Sequence, residues 1–120
     1  MTMTITEETY GSVKKIKFDW SIGSSSAGTT TGTTSKAYNG ALERMVTIPD
    51  ASTAPSASYD LTCSDQDSTD TFLGAGANRA AAATEQVGRA SLGVVANDTL
   101  TLTVTNAGSS TAGVCYVYIR

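Results

Sequence analysis

The sequence predicts an all-β fold: a single-domain antiparallel β-sandwich of jelly-roll-like character, with a flexible N-terminal arm. Three observations carry this. Residues 13–22, VKKIKFDWSI, place Ile16, Phe18, Trp20 and Ile22 on every second position, with Lys15, Lys17, Asp19 and Ser21 between them. That is the period of a strand with one buried and one wet face. Leu100, Leu102 and Val104 alternate with threonines in the same way, and VCYVYIR at 114–120 is dense in strand formers. Gly, Ser, Asn and Asp clusters separate such runs at short intervals, as in sandwiches and jelly rolls. With 120 residues the chain suffices for one such domain and not for two.

The elements follow in order. Residues 1–12 form the arm, and such arms are poorly ordered unless docked; residues 13–120 form the sandwich. The first strand is 13–22, whose outward lysines suit an edge or surface position. Residues 23–35, GSSSAGTTTGTTS, hold no large apolar side chain. They read as a long loop, with a Thr-rich extended hairpin as the alternative. ALERMVTI at 41–48 matches helical and strand spacings at once. A strand over 44–48, stopped by Pro49, suits its neighbours better. DASTAPSA is a turn-rich link, and Tyr59, Leu61 and Cys63 alternate against Asp60 and Thr62 as another strand. RAAAATEQ has the highest helix propensity in the chain, but eight residues support no more than one helical turn within a loop. A short strand is expected near 91–96, then a β-hairpin of 99–105 with 113–119. The last strand is apolar on both faces, which places it centrally or in an interface.

Composition narrows function. Charged residues are 16% of the chain, against about 25% in typical domains. Thr, Ser, Ala and Gly supply about half of it, the net charge is −3, and there is no His. Mean hydropathy is −0.08 and the pI is near 4.7. No apolar run approaches the length of a membrane helix, and no basic field points to nucleic acid. Without His, the commonest general base and a common metal ligand are missing. The opening residues alternate Met and Thr and then reach Glu7 and Glu8. They lack the basic start and apolar core of an export signal, so assembly in the cytoplasm is expected. Cys63 and Cys115 form no CxxC pair and read as free buried thiols, with a disulfide between them as the alternative that their even number allows.

Each motif has a plainer reading. Gly23-Ser-Ser-Ser-Ala-Gly28 has phosphate-loop glycine spacing, but Thr29 and Thr30 stand where the cation belongs. Gly74-Ala-Gly76-Ala-Asn-Arg79 lacks the third glycine of a dinucleotide fingerprint and reads as a turn. Asp65, Asp67 and Asp70 are closely spaced carboxylates suited to Ca²⁺. The loop lacks an EF-hand's glycine and terminal Glu, so a solvated turn is the simpler account. Lys14, Lys15 and Lys17 near Phe18 and Trp20 suggest single-stranded nucleic acid, yet the alternation puts Lys15 and Lys17 on the face opposite the rings. No GxSxG elbow or acid pair is visible. No enzyme activity, cofactor or metal is expected.

VTIPDASTAPSASYDLT, Gly74-Ala-Gly-Ala-Asn-Arg79, Leu92-Gly-Val-Val-Ala-Asn97 and the ending Val117-Tyr-Ile-Arg120 resemble small structural proteins of tailed bacteriophages. The resemblance covers residues 41–120. It implies a virion component without catalytic residues, assembled in the host cytoplasm: a capsid decoration protein, or a neck, head–tail junction or tail part. The implied partner is the major capsid protein or another virion protein, and a homo-oligomer, a trimer or hexamer, suits a symmetric particle. Arg79 and Arg120 are candidate interface anchors, because Arg is enriched in interfaces; Asn78 stands beside Arg79 in the same loop. The arm and the 23–35 loop are further contact candidates. A carbohydrate-binding module gripping sugar through Tyr38, Trp20 or the C-terminal tyrosines is the alternative from another class.

Overall fold

The computed structural model describes residues 2–24 and 28–120. Among these, nine strands form two sheets: β1 (Thr2–Tyr10), β2 (Val13–Ile22), β3 (Thr30–Thr33), β4 (Tyr38–Pro49), β5 (Asp60–Ser64), β6 (Glu85–Gly88), β7 (Val94–Asp98), β8 (Thr101–Thr105) and β9 (Thr111–Ile119). The larger sheet runs β1-β2-β9-β4-β6, with β7 also paired to β4; the smaller runs β3-β8-β5. All named pairings are antiparallel. The expected sandwich is present.

The core lies between the sheets. Ile16, Phe18, Trp20 and Ile22 point inward from β2, Cys115, Val117 and Ile119 from β9, and Leu61, Cys63, Leu102 and Val104 from the smaller sheet. Trp20 meets Tyr59 across the layer, with ring centroids 5.8 Å apart. Gly113 sits beneath the indole, where a side chain would collide with it. As the apolar pattern predicts, β9 occupies the centre of the larger sheet, between β2 and β4.

Several expectations need correction. Residues 2–10 are not a free arm: β1 pairs with β2 along its whole length, from Thr2↔Ser21 to Tyr10↔Val13. Met3 and Ile5 pack on the core, the same alternation as in β2 but carried by fewer large side chains. Gly11, at φ +60°, supplies the tight turn between the two. The expected β8–β9 hairpin does not form. β8 pairs with β3 and β5, whereas β9 pairs with β2 and β4, so residues 106–110 cross from one sheet to the other. Asn106, Gly108 and Ser110 all have positive φ, and these left-handed kinks swing the chain out of the smaller sheet. Both strands then bury one face in the same core.

RAAAATEQ holds no helical turn; residues 81–83 bend and Glu85–Gly88 adds to the edge of β4. Pairing with β4 gives these residues hydrogen bonds that an eight-residue helix would leave half unsatisfied. The ambiguous 41–48 is strand, extended back to Tyr38. Within 23–35, Thr30–Thr33 forms β3; residues 25–27 of that predicted loop lie outside the described residues. The threonines of β3 and β8 pair across strands, Thr33 with Thr101 at 2.8 Å and Thr31 with Thr103 at 3.2 Å. Hydroxyl pairing of this kind explains how a sequence almost without large side chains holds a strand.

Glu7 closes one flank. Its carboxylate accepts from Ser35 N and Oγ, Lys36 N and the Tyr38 hydroxyl, at 2.7–3.1 Å. Burial alone would raise its pKa, but these donors outweigh burial and hold it below the ordinary value. On the same flank Gly32 lets the backbone of β3 approach Met3; a Cβ there would stand 2.7 Å from its sulfur.

Candidate functional site

The alternation that builds the core also builds the opposite face of the larger sheet. In β9, Val114, Tyr116 and Tyr118 point away from the core while Cys115, Val117 and Ile119 point into it. Strand register sets their neighbours. Tyr118 lies opposite Lys15 of β2 and Arg44 of β4, and Tyr116 lies opposite Lys17 and Val46. The result is a row of cations and rings. The Lys15 ammonium stands 5.0 Å from the Tyr116 ring centre, and the Arg44 guanidinium 4.5 Å from that of Tyr118. The two rings stack at 6.2 Å with planes 27° apart. Both distances to the cations suit cation–π attraction, worth about 0.5–1 kcal/mol each at exposed sites. Arg44 Nη1 also donates to Gln86 Oε1 at 3.3 Å, tying the row to β6.

The row is half-exposed; beside it on β4, Val46 is buried opposite Tyr116 and Ile48 is half-buried opposite Val114. Rigid rings flanked by Arg and Lys present apolar area and hydrogen-bonding groups at low entropic cost, as at interface hot spots.

The residues singled out in the sequence are scattered over the molecule and do not meet at one site. Tyr38 is 4% exposed. Its hydroxyl is given to Glu7, and burial together with that carboxylate pushes its pKa up. It offers no ring to a partner, which corrects its place among the surface candidates. Arg79 pairs with Glu85 at 3.6 Å, and its backbone N–H bonds the Tyr59 carbonyl, so this cation fastens its own loop. Asn78, at φ +56°, donates its N–H to Asp60 Oδ1. Asp60 also accepts from Asn106 Nδ2 at 2.6 Å, joining the GAGANR loop to the 106–110 crossover. Arg120 is exposed at the end of β9, exchanging backbone hydrogen bonds with Ala41. Trp20 is 1% exposed and unavailable for stacking. Tyr116 and Tyr118 remain from the aromatic candidates.

The aspartate turn is self-satisfied. Asp65 accepts from Asp67 N, Thr69 N and Thr69 Oγ1, and Asp70 accepts from Cys63 N, Phe72 N and Gly74 N. These carboxylates organise loops. Among the described residues, no group of three His, Cys, Asp or Glu side chains is placed to hold a metal ion. Both cysteines are free and buried. Burial pushes the Cys63 thiol up to about 12 and the Cys115 thiol well above its usual value.

Alternation sets Val114, Tyr116 and Tyr118 apart from Cys115, Val117 and Ile119 in the sequence, but both sets are apolar, so the strand alone does not say which faces the core. The signal was present: in β2 the lysines mark the outward face, and pairing carries that face onto alternate residues of β9.

No family model matches the chain, and no curated protein does. Among solved structures, the chain is similar to a low-affinity xylan-binding module of the gut symbiont Roseburia intestinalis, with 8% identity, 99% of this chain and 85% of that chain covered, and a TM-score of 0.44. It is also similar to a chain of infectious bursal disease virus, Gx strain, at 14% identity, with 90% and 32% covered and a TM-score of 0.36. A third likeness is to Bacillus endospore appendages that form disulfide-linked pili, at 17% identity, with 100% and 91% covered and a TM-score of 0.36. These are distant likenesses of β architecture, and the reading of function rests on this chain's own surface.

Proposed function

We propose that this chain is a structural protein of a bacteriophage virion that decorates the capsid, seated on the major capsid protein through the Lys15–Tyr116–Tyr118–Arg44 row. The observation that carries the reading is that row: a strip of stacked rings and cations on the outward face of a sheet whose other face is core. The sequence resemblance to phage structural proteins supplies the partner class. Low charge and small side chains suit close apposition of β surfaces. On a symmetric lattice, many modest contacts add through effective concentration.

The test is the copy number in purified particles, by quantitative mass spectrometry against the major capsid protein. About one copy per capsid subunit, or per few subunits, supports decoration. A count of about six to twelve moves the chain to a neck, head–tail junction or tail ring. Absence from the particle overturns the virion reading. In parallel, Tyr116→Ala with Tyr118→Ala is expected to abolish rebinding to stripped particles while the fold is retained.

A second reading draws on the same two tyrosines, because adjacent half-exposed rings also stack on sugars. Glycan-array binding that disappears in the Tyr116→Ala, Tyr118→Ala variant, with no particle binding by wild type, would favour the carbohydrate module.

A further inference from the structure

The outward face of the larger sheet has a charge that the rest of the chain does not share. Strand alternation and register add residues to the row of Lys15, Tyr116, Tyr118 and Arg44. On β2, Lys17 and Asp19 follow Lys15 at every second position, and the residues between them, Ile16, Phe18 and Trp20, are buried. On β9, Arg120 follows Tyr118 across the buried Ile119; it is exposed and continues the ladder by exchanging backbone hydrogen bonds with Ala41. Lys15, Lys17, Arg44 and Arg120 are half of the eight Lys and Arg residues in a chain of net charge −3.

Two carboxylates share this face. Glu8 lies opposite Lys15 on β1 and accepts from the Tyr10 hydroxyl. Asp19 lies opposite Val114, at the far end from Tyr118. Neither closes an ion pair with the four cations: the ion pairs among the described residues, Arg79–Glu85 and Arg89–Glu43, use other ones. Lys15 and Arg44 lean on tyrosine rings instead. A cation held against a ring is positioned without being neutralised.

Charge and spacing together fit one kind of partner. Unneutralised cations beside aromatic surface attract an acidic surface and reject a basic one. Lys15 and Lys17 stand two residues apart on a strand, roughly 6.7 Å. Carboxylates at alternate positions of an extended peptide have the same spacing, so the match holds over successive pairs. Arg44 reaches the same strip from the other side, because β2 and β4 flank β9 and their backbones run roughly 9.6 Å apart.

We infer that the occupant of this face is acidic: an extended protein segment with Asp or Glu at alternate positions, whose carboxylates pair with Lys15 and Lys17 and, across Tyr118, with Arg44. The partner's chemistry depends on the row being the docking face proposed above, and narrows it to one charge class.

Fluorescence anisotropy tests this with two labelled decapeptides, one alternating Glu with Thr and one alternating Gln with Thr, at about 20 mM salt, where screening is weak. The acidic peptide is expected to bind about tenfold tighter than the neutral one or better, and to lose about tenfold when salt rises to about 200 mM. Both comparisons use the unaltered chain and need no variant to fold. Lys15→Gln combined with Lys17→Gln and Arg44→Gln should cost the acidic peptide about tenfold or more, whereas Lys14→Gln with Lys36→Gln, two cations off this face, should change it less than about twofold. Equal binding of the two peptides, or an equal loss in the off-face variant, overturns the inference. So does uptake of polygalacturonate through Lys15 and Arg44 by a chain that ignores the peptide, which makes the partner an acidic sugar. Rebinding to stripped particles separates the two levels. If the Tyr116→Ala, Tyr118→Ala variant fails to rebind and the triple Gln variant rebinds as wild type does, the row docks a partner that is not acidic and only the acidic occupant falls. If both rebind as wild type does, the docking face falls with it.

Discussion

Replacing Glu7 with Gln tests how the first strand is fastened to the sandwich. The carboxylate accepts four hydrogen bonds, from Ser35 N, Ser35 Oγ, Lys36 N and Tyr38 Oη. Gln keeps one acceptor oxygen and turns an NH₂ group toward donors, so two of the four bonds are lost. Bonds to a charged acceptor contribute about 1.5–3 kcal/mol each when buried, and neutral ones about 0.5–1.5. Glu7 is half-exposed, so the lower figures apply, and losing two bonds is expected to cost about 1–3 kcal/mol at pH 7. Glu7→Ala also leaves the buried Tyr38 hydroxyl without its acceptor, for about 1 kcal/mol more. For a domain of this size each kcal/mol moves Tm by about 3–5 °C. Urea denaturation followed by the single tryptophan, Trp20, reads the loss directly. Acid supplies the internal control. The folded-state pKa of Glu7 lies below its unfolded value near 4.5, so its contribution is fully present above that value. It fades as pH falls through the lower, folded value. The gap between wild type and Glu7→Gln must therefore shrink in acid. A variant as stable as wild type at pH 7, or a gap unchanged at pH 3, would refute the reasoning.

Other expectations follow from packing. Gly113→Ala places a methyl 2.6 Å from the Trp20 ring and 3.0 Å from the Ile48 carbonyl; overpacking of this kind costs about 1–3 kcal/mol, and an unchanged urea midpoint would contradict it. Cys63 and Cys115, buried and with raised thiol pKa values, should resist a thiol reagent in the native state and react on unfolding; labelling at the rate of a free cysteine would show an open core. Leu73→Gly relieves the left-handed backbone and removes only exposed carbon. Stability should stay within about 1 kcal/mol of wild type, against the ~2–5 kcal/mol of a buried leucine truncation.

Much of the fold was legible wherever alternation was strong. β2, β5, β8 and β9 stand within a few residues of their sequence boundaries, because large apolar side chains alternate there with polar ones. β1 was hidden because Met3 and Ile5 alternate with threonines, which suit strand and loop alike. β3 was hidden because its stability comes from hydroxyl pairs with a strand some seventy residues away, and no local pattern reports such a partner. The crossover between β8 and β9 was unreadable for a related reason. A Gly-bearing link between two strands suggests a hairpin, and only the φ values of Asn106, Gly108 and Ser110 send the chain to the other layer. Of the platform, the tyrosines themselves were noticed. Lys15 and Arg44 become their neighbours only through the register with β2 and β4.

The central place of β9 has a consequence for how the protein is made. β2 and β4 are synthesised early, yet they do not pair with each other; each waits for β9, the last strand of the nine to be translated. Until then both carry an apolar face and an open edge that belongs to the same missing neighbour. The centre of the larger sheet therefore closes only once β9 is available, in a late insertion that joins residues about 65 to 105 positions apart. Such long-range closure is slow, and the waiting edges are prone to pair between nascent chains. Expression at lowered temperature, or with a chaperone that shields open edges, should raise the yield of this protein more than any change at its N-terminus.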